Sequence, residues 1–364
     1  MKTSFLRPFS LTAALALAAA AHSSFAQTTA TTDPVGFITL PIAGGGSVAS
    51  PKLSLISPTV TQPISWQGAI TAVSTAAGNT TITVSSVPTA PFTAGQFNGA
   101  NGNFFAEIVT VTPNTHATGA LAVITATGTG SITVTGNLVS PTAFAQVGDT
   151  LRIRKETTLG DVFGTNNTAG FLSTDDASTA DEILIYDGAS SVSYFFYIGD
   201  AFGNPAGWYN STSFAPSATT VIGAHQGVVV KRKAGGALSV TANGAVKTGN
   251  TLFPVVNGLN VLGTVSAKGL TLGTSGLYTG NAITGVKPSD DASTGDEVVI
   301  YPTTGPSQNY FYYVGDAFGN APGWYGSASF APSDTVAMPP GVSFVLLRKG
   351  GVSFNWSLPS PTSF

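Results

Sequence analysis

The chain has 364 residues, of which 43% are hydrophobic and only 9% are charged, and its formal net charge at pH 7 is −3. The charged fraction is far below the roughly 25% of an average soluble protein, and the negative balance argues against nucleic acid as a partner. The chain has no cysteine, which excludes a disulfide framework and lipid attachment through a cysteine.

The first 26 residues have the pattern of a secretory signal peptide. Lys2 and Arg7 precede an apolar run at residues 11–21, and small residues lead to Ala26. The run is shorter than the roughly 20 residues of a membrane-spanning helix, and no later segment is long and apolar enough to serve. We therefore predict a secreted mature chain that starts near Gln27, has no membrane span, and is extracellular, attached to the cell surface or periplasmic.

Residues 27–147 are predicted to form an N-terminal β domain. The segment TDPVGFITLPI, which starts at Thr32, is predicted to contain one strand, either at an edge of its own domain or donated to a neighbouring subunit. From residue 69 to residue 147, Thr, Val and Ile alternate with period two between turns rich in Gly and Asn. This alternation predicts consecutive antiparallel hairpins.

The rest of the chain contains a duplication. Residues 175–186 match residues 290–301 at nine of twelve positions, and residues 194–217 match residues 310–333 at 18 of 24. A weaker alignment of Gly148 with Gly249 predicts repeat units at 148–248 and 249–364, with an insertion in the second unit around residues 270–285. The predicted fold class is all-β: an antiparallel, hairpin-rich N-terminal domain followed by two duplicated β-sandwich-like units.

Four segments of the mature chain resemble an uncharacterised family of secreted, β-rich bacterial proteins. They are TDPVGFITLPI at Thr32, GDTLRIRKETTLGDVFG at Gly148, ADEILIY at Ala180 and VVVKRKAGG at Val228. The resemblance covers most of the mature chain and implies a secreted all-β protein. It implies no catalytic residues.

Acidic residues are concentrated in the duplicated segments. Like charges about 4 Å apart repel by roughly 4 kcal/mol at an effective dielectric near 20, so such acids either point apart or surround a cation. One interpretation is a turn in which Asp and Ser oxygens accept backbone N–H groups; the other is a calcium site, because Ca²⁺ prefers carboxylate and carbonyl oxygens. The candidate metal ligands are Asp175, Asp176, Asp181 and Glu182 in the first copy and Asp290, Asp291, Asp296 and Glu297 in the second.

Each copy also contains an aromatic loop, GDAFGNPAGWY or GDAFGNAPGWY. One hypothesis places the Trp and Tyr side chains on the surface as stacking platforms for sugar rings, with Asp and Asn as hydrogen-bonding groups. The other buries the Trp and Phe side chains in the core of each unit. The candidate ligand-binding residues are Asp200, Asn204, Trp208 and Tyr209, with Asp316, Asn320, Trp324 and Tyr325.

The sequence offers little for catalysis. His116 and His225 are the only histidines after the signal peptide, and no zinc-protease or serine-hydrolase motif is present. We therefore predict a non-enzymatic, secreted structural, cell-surface or extracellular-matrix protein that associates with itself. The alternative prediction is a lectin-like protein that binds extracellular glycans through the Trp-Tyr loops.

Overall fold

Strands dominate the structure, which confirms the predicted all-β class. A computed structural model describes residues 33–76, 78–85, 92–109, 119–136, 145–302 and 305–359. The predicted signal peptide and His116 lie outside these residues. Within them, no helix is long and apolar enough to cross a membrane.

The first nine strands are β1 (Val35–Ile42), β2 (Lys52–Ile56), β3 (Val60–Thr61), β4 (Ile64–Ala76), β5 (Asn79–Val84), β6 (Phe104–Val109), β7 (Leu121–Gly128), β8 (Ser131–Gly136) and β9 (Thr150–Lys155). The next elements are β10 (Thr157–Thr158), helix α1 (Leu159–Phe163), β11 (Glu182–Asp187), β12 (Ser190–Tyr197), β13 (Gly207–Asn210), β14 (Val221–Ile222), β15 (Val228–Arg232) and β16 (Leu238–Val246). The last strands are β17 (Thr251–Val255), β18 (Gly258–Leu262), β19 (Leu270–Thr271), β20 (Glu297–Ile300), β21 (Gln308–Tyr313), β22 (Gly323–Gly326), β23 (Ala337–Met338), β24 (Phe344–Arg348) and β25 (Phe354–Leu358). Short 3₁₀ helices lie at Gly99–Asn101 and Leu272–Thr274.

Six antiparallel strands form a closed barrel in the order β4-β5-β8-β7-β6-β9. The β4–β5 and β7–β8 hairpins were predicted from the period-two alternation. Strand β4 carries two register shifts, and its first half pairs with β9 while its second half pairs with β5. Such bulges bend a strand, so β4 can turn the corner that closes the barrel. Aromatic side chains that include Trp66, Phe92 and Phe97 fill the interior.

A β-sandwich, called sandwich A, combines β1–β3 with β10–β16. Its large sheet has the order β13-β12-β11-β15-β2, and it faces the small sheet β1-β16-β3. Alternate side chains of the two sheets, such as Leu40 from β1, Val240 from β16 and Val228 from β15, share one core. Strand β1 is therefore an edge strand of its own sheet, paired only with β16 among the described residues.

Sandwich B, formed by β17–β25, has the same pairing. Its large sheet has the order β22-β21-β20-β24-β18, and the β17-β25 pair covers it. Strands β1 and β2 thus correspond to β17 and β18. Only seven residues separate β18 from β19, whereas the barrel occupies the matching connection between β2 and β10.

These pairings differ from the predicted domain boundaries. Residues 148–155 were assigned to repeat unit A, but β9 closes the barrel, and β1–β3 from the predicted N-terminal domain belong to sandwich A. The alignment of Gly148 with Gly249 was wrong, because β17 pairs with β25 as β1 pairs with β16. Residues 270–274 are also not an insertion, because they have a counterpart in sandwich A. Thr271 caps its 3₁₀ helix with the same capping box by which Thr158 caps α1.

The two sandwiches exchange equivalent hydrogen bonds. Gly227 N donates to Val261 O at 2.9 Å, and Ser343 N donates to Leu55 O at 3.3 Å. Leu55 and Val261 occupy the same register position opposite β15 and β24. Reciprocal contacts of this kind are those of an isologous interface, here formed within one chain. An apolar cluster that includes Leu55, Val229 and Val261 is buried with it.

We expect Gly263→Ala to lower the free energy of unfolding by about 1–3 kcal/mol through overpacking at this contact. A Cβ atom on Gly263 would lie 2.1 Å from Oγ of Ser57, a fully buried side chain. Gly236→Ala is the matched control, because a Cβ atom there meets no atom within 4 Å. Urea denaturation measures both variants, and equal losses of stability would contradict the close approach.

Candidate functional site

One acid in each duplicated segment is completely buried against an arginine. Asp181 forms an ion pair with Arg232 and accepts backbone hydrogen bonds from Leu172 (2.6 Å) and Lys233 (2.7 Å). In the second copy, Asp296 pairs with Arg348 and accepts from the backbone N–H groups of Lys287 and Lys349 at 2.7 Å each. These carboxylates use their oxygens to join the start of β11 or β20 to the end of β15 or β24.

The neighbouring acids have other protein partners. Asp176 accepts hydrogen bonds from the backbone N–H (2.8 Å) and the hydroxyl (2.7 Å) of Ser178, and Asp291 accepts from the backbone N–H of Ser293 (2.8 Å). These contacts confirm the predicted turn. Glu182 and Glu297 pair across the sheet with Lys231 (2.7 Å) and Lys349 (3.0 Å).

The eight acids therefore do not converge. Asp175 and Asp290 are exposed, while the carboxylates beside them point to an arginine, to lysines or to their own turn. In the part of the chain that the structure describes, no group of three or more His, Cys, Asp or Glu side chains could hold a metal ion. The hypothesis of a calcium site in each copy thus lacks a ligand set in this structure.

Arg232→Met is expected to lower the free energy of unfolding by about 3–5 kcal/mol, because it leaves the Asp181 carboxylate buried without its cation. Lys231→Met is the control, since the partly exposed pair with Glu182 contributes about 1 kcal/mol or less. Urea unfolding with and without millimolar Ca²⁺ measures both effects. A Ca²⁺-dependent gain in wild-type stability would contradict the assignment of these acids to internal partners.

The Trp and Tyr residues of the aromatic loops are buried, so their interpretation as sugar platforms was wrong. Trp208 and Trp324 are 1% and 2% exposed, and Tyr209 and Tyr325 are also buried. The Trp208 indole packs among Phe163, Phe171 and Phe196 and donates its N–H to Gly164 O at 2.7 Å. A ring packed on all sides has no face for a sugar, which agrees with the core interpretation.

The Asp and Asn residues of the same loops organise the loops themselves. Asp200 accepts hydrogen bonds from Tyr197 Oη (2.9 Å), from the backbone N–H groups of Phe202 (2.8 Å) and Asn204 (3.0 Å), and from Asn204 Nδ2 (2.6 Å). These bonds, that of the Asn204 amide first, lower the pKa of Asp200 to about 2. Asp316 makes the same four kinds of contact with Tyr313, Phe318 and Asn320 in the second copy, and its pKa is likewise about 2.

The tip of each loop carries a nearly fully exposed phenylalanine. Phe202 is 93% exposed and Phe318 is 95% exposed, higher values than those of the other exposed large hydrophobic residues of the described chain. The core interpretation buried the Phe residues of these loops together with the Trp residues, so for Phe202 and Phe318 it was wrong. The signal was present, since the segment GDAFGN is identical in the two copies.

A second site lies where the barrel meets sandwich A. A cavity of about 260 Å³ is lined by Phe105 and Leu121 from the barrel, by Val221 and His225 from sandwich A, and by Glu156, which directly follows β9. Glu156 also lines an adjoining smaller cavity. Sequence reasoning missed this site because its walls come from distant parts of the chain.

Burial perturbs both titratable groups of this cavity. It raises the pKa of the Glu156 carboxyl to about 7 and lowers the pKa of the His225 imidazole to about 4, against a weaker opposing effect of Asp187. The neutral form of each group is favoured because charge is poorly solvated there. A strongly perturbed carboxyl inside a cavity is a recognised mark of a functional site.

Glu156 should make the stability of the protein fall between about pH 4.5 and pH 7. The unfolded chain releases this proton near pH 4.5 and the folded protein only near pH 7, which costs about 3 kcal/mol of unfolding free energy over that window and nothing further above it. The difference in the free energy of unfolding between wild type and Glu156→Gln, measured by urea denaturation from pH 4.5 to pH 8, isolates the contribution of Glu156. Glu182→Gln is the control: Lys231 and Lys233 lower the pKa of Glu182 despite its partial burial, so its contribution changes only below about pH 4.5 and is constant over the measured range.

Comparison with known proteins gives no match for this chain among family models, curated proteins or solved structures.

Proposed function

We propose that the protein is a secreted, non-catalytic structural protein of the cell surface or extracellular matrix that associates with copies of itself through its two Phe-tipped loops. The observation that carries this proposal is the exposure of Phe202 and Phe318 at equivalent loop tips. Single exposed apolar residues are common in soluble proteins. Two phenylalanines exposed at more than nine-tenths, at the same position of a duplicated motif, indicate a contact surface.

The loops are rigid supports for these rings. Asp200 fixes the backbone on both sides of Phe202 and is bonded to Tyr197. The Tyr197 ring in turn packs at 4.9 Å from Phe214 and at 5.3 Å from Tyr209. The side chain of Phe202 is therefore presented by an ordered loop, which reduces the entropy lost on binding. The second copy repeats these contacts around Asp316 and Tyr313.

The position of the loops favours assembly of many copies. The first loop joins β12 to β13, at the end of the large sheet opposite to β2. Strand β2 contacts sandwich B, together with β15 and β11. Four strand spacings, about 19 Å, separate β13 from β2. The β21–β22 loop is placed in the same way in sandwich B. One chain thus offers two equivalent contacts away from its internal interface, which is what an extended assembly requires.

The energetics suit a weak contact that is used repeatedly. Full burial of one Phe side chain contributes about 1.5–3 kcal/mol, so a single loop gives a modest affinity and two loops per chain give avidity. With 9% charged residues and a net charge of −3, the chain has little electrostatic repulsion to oppose the approach of a second copy.

Sedimentation velocity of the mature chain tests the proposal. We expect concentration-dependent species larger than a monomer for wild type, a smaller average size for Phe202→Ser or Phe318→Ser, and a monomer for the double variant. Ile283→Ser with Val352→Ser is the matched control, because these side chains are 63% and 56% exposed and lie outside both loops.

The control pair should assemble as wild type does. Assembly that the Phe double variant retains would contradict the role of the loops, and a wild type that stays monomeric at high concentration would contradict self-association. Runs in Ca²⁺ and in EDTA should agree, because most of the eight candidate acids have protein partners and the eight do not converge on one point.

Carbohydrate binding is the second candidate function, and a different observation favours it. A groove of about 550 Å³ lies beside β21 and β22 in sandwich B, lined by hydroxyl and amide groups that include those of Gln308, Asn309, Ser327 and Ser329. Such groups bind sugar hydroxyls, and the largely buried Tyr310 borders the groove. Binding of a neutral oligosaccharide by a monomeric wild type would favour this function over self-association.

A further inference from the structure

The cavity between the barrel and sandwich A has a mainly apolar wall and one acidic group. Phe105 and Leu121 contribute the wall on the barrel side, and Val221 and Ala224 contribute it on the other side. Gln226 lies at its margin, but its amide is already used, since Oε1 accepts from Gly223 N at 2.8 Å and Nε2 donates to Tyr186 O at 3.1 Å. These bonds shape the loop at residues 223–226 that borders the cavity.

Glu156 is the group in this cavity whose bonding is incomplete. Its backbone N–H donates to Asn103 O at 2.8 Å, which fixes the start of the side chain, but no hydrogen bond or charge of a described residue acts on the pKa of its carboxyl group. The residue is only 6% exposed, and burial is the one cause of its raised pKa. A buried carboxyl without donors costs free energy, and a bound ligand with donors would recover it.

The surroundings favour a cationic ligand. Of the described residues that line either cavity, His225 is the only other titratable one. Its imidazole is neutral at pH 7, because burial lowers its pKa to about 4. No lysine or arginine competes for Glu156 among these lining residues, whereas the buried acids Glu107, Asp181 and Asp296 are all paired with basic side chains.

We propose that this cavity binds a small molecule that carries an ammonium group on a short apolar or aromatic body, with Glu156 as its counter-ion. The ammonium group donates to the Glu156 carboxylate, and the body packs on Phe105 and Leu121. An apolar cavity of about 150 Å³ holds benzene. The observed 260 Å³ therefore holds a ring of that size with a tail of two or three atoms.

Isothermal titration calorimetry with phenethylamine and with 2-phenylethanol tests the proposal, because the two probes have the same size and only the amine is charged. At pH 8 the wild-type protein should bind the amine about tenfold or more tightly than the alcohol. At pH 5 this preference should disappear, since Glu156 is then protonated while the amine keeps its charge. In Glu156→Gln the two probes should bind equally at both values of pH.

Two further variants test whether the preference comes from Glu156 and whether the probes occupy the cavity. Glu182→Gln should keep the preference for the amine, because Glu182 lies on β11 and pairs with Lys231. Ala224→Phe fills the cavity without removing the carboxyl and should abolish binding of both probes. Equal affinities of wild type for amine and alcohol at pH 8, or no binding of either at millimolar concentration, would overturn the proposal. So would an amine preference that survives in Glu156→Gln.

Discussion

Within the described residues, the arrangement of the barrel and the sandwiches depends on a buried ionic cluster around Arg154. The Arg154 side chain, which is fully buried in β9, donates to Glu107 Oε2 (3.1 Å), to Gln62 O (3.0 Å) and to Asp33. Lys247, from the connection between the two sandwiches, reaches Glu107 Oε1 at 2.8 Å. Burial opposes ionisation of Glu107, but Lys247 and Arg154 outweigh it and lower the pKa of Glu107. Since unpaired buried charges are so costly, the barrel has one position relative to the N-terminal strand and the inter-sandwich connection.

That constraint also creates the cavity at the junction. Only Lys155 separates Arg154 from Glu156, so the strand end that carries the paired arginine also carries the unpaired carboxyl. Arg154 is neutralised by Asp33 and Glu107, whereas Glu156, two residues later, meets apolar walls. The Arg154 cluster holds the barrel and sandwich A together, and this allows the desolvated Glu156 carboxyl to persist between them. A cationic ligand bound to Glu156 would neutralise that carboxylate, as Asp33 and Glu107 neutralise Arg154.

The sequence predicted the parts of this fold that are local and missed those that join distant segments. The alternation of residues 69–147 predicted the hairpins, and the Asp-Ser spacing predicted the turns at Asp176 and Asp291. Strands β1 and β17 share little sequence, so their equivalence appears only through their pairing with β16 and β25. The acids resembled metal ligands because their cations, Arg232 and Arg348, follow about 50 residues later. Hydrophobic character alone does not tell which aromatic residue of a loop is buried. The structure shows that Trp208 is buried and Phe202 is exposed.

The duplication makes the two sandwiches alike, but only sandwich A has the barrel inserted in it. The Phe-tipped loops and the cavity at Glu156 therefore differ in number. The reciprocal bonds of Gly227 and Ser343 relate the sandwiches, so the Phe-tipped loops occur twice in equivalent surroundings. The barrel is inserted only between β2 and β10, and sandwich B has seven residues in its place. The cavity at Glu156 therefore has no counterpart in sandwich B among the described residues. Under the two proposals, one chain would make two like contacts with neighbouring copies and hold one small ligand. Saturation of the cavity at one ligand per chain would then be independent of the number of chains assembled.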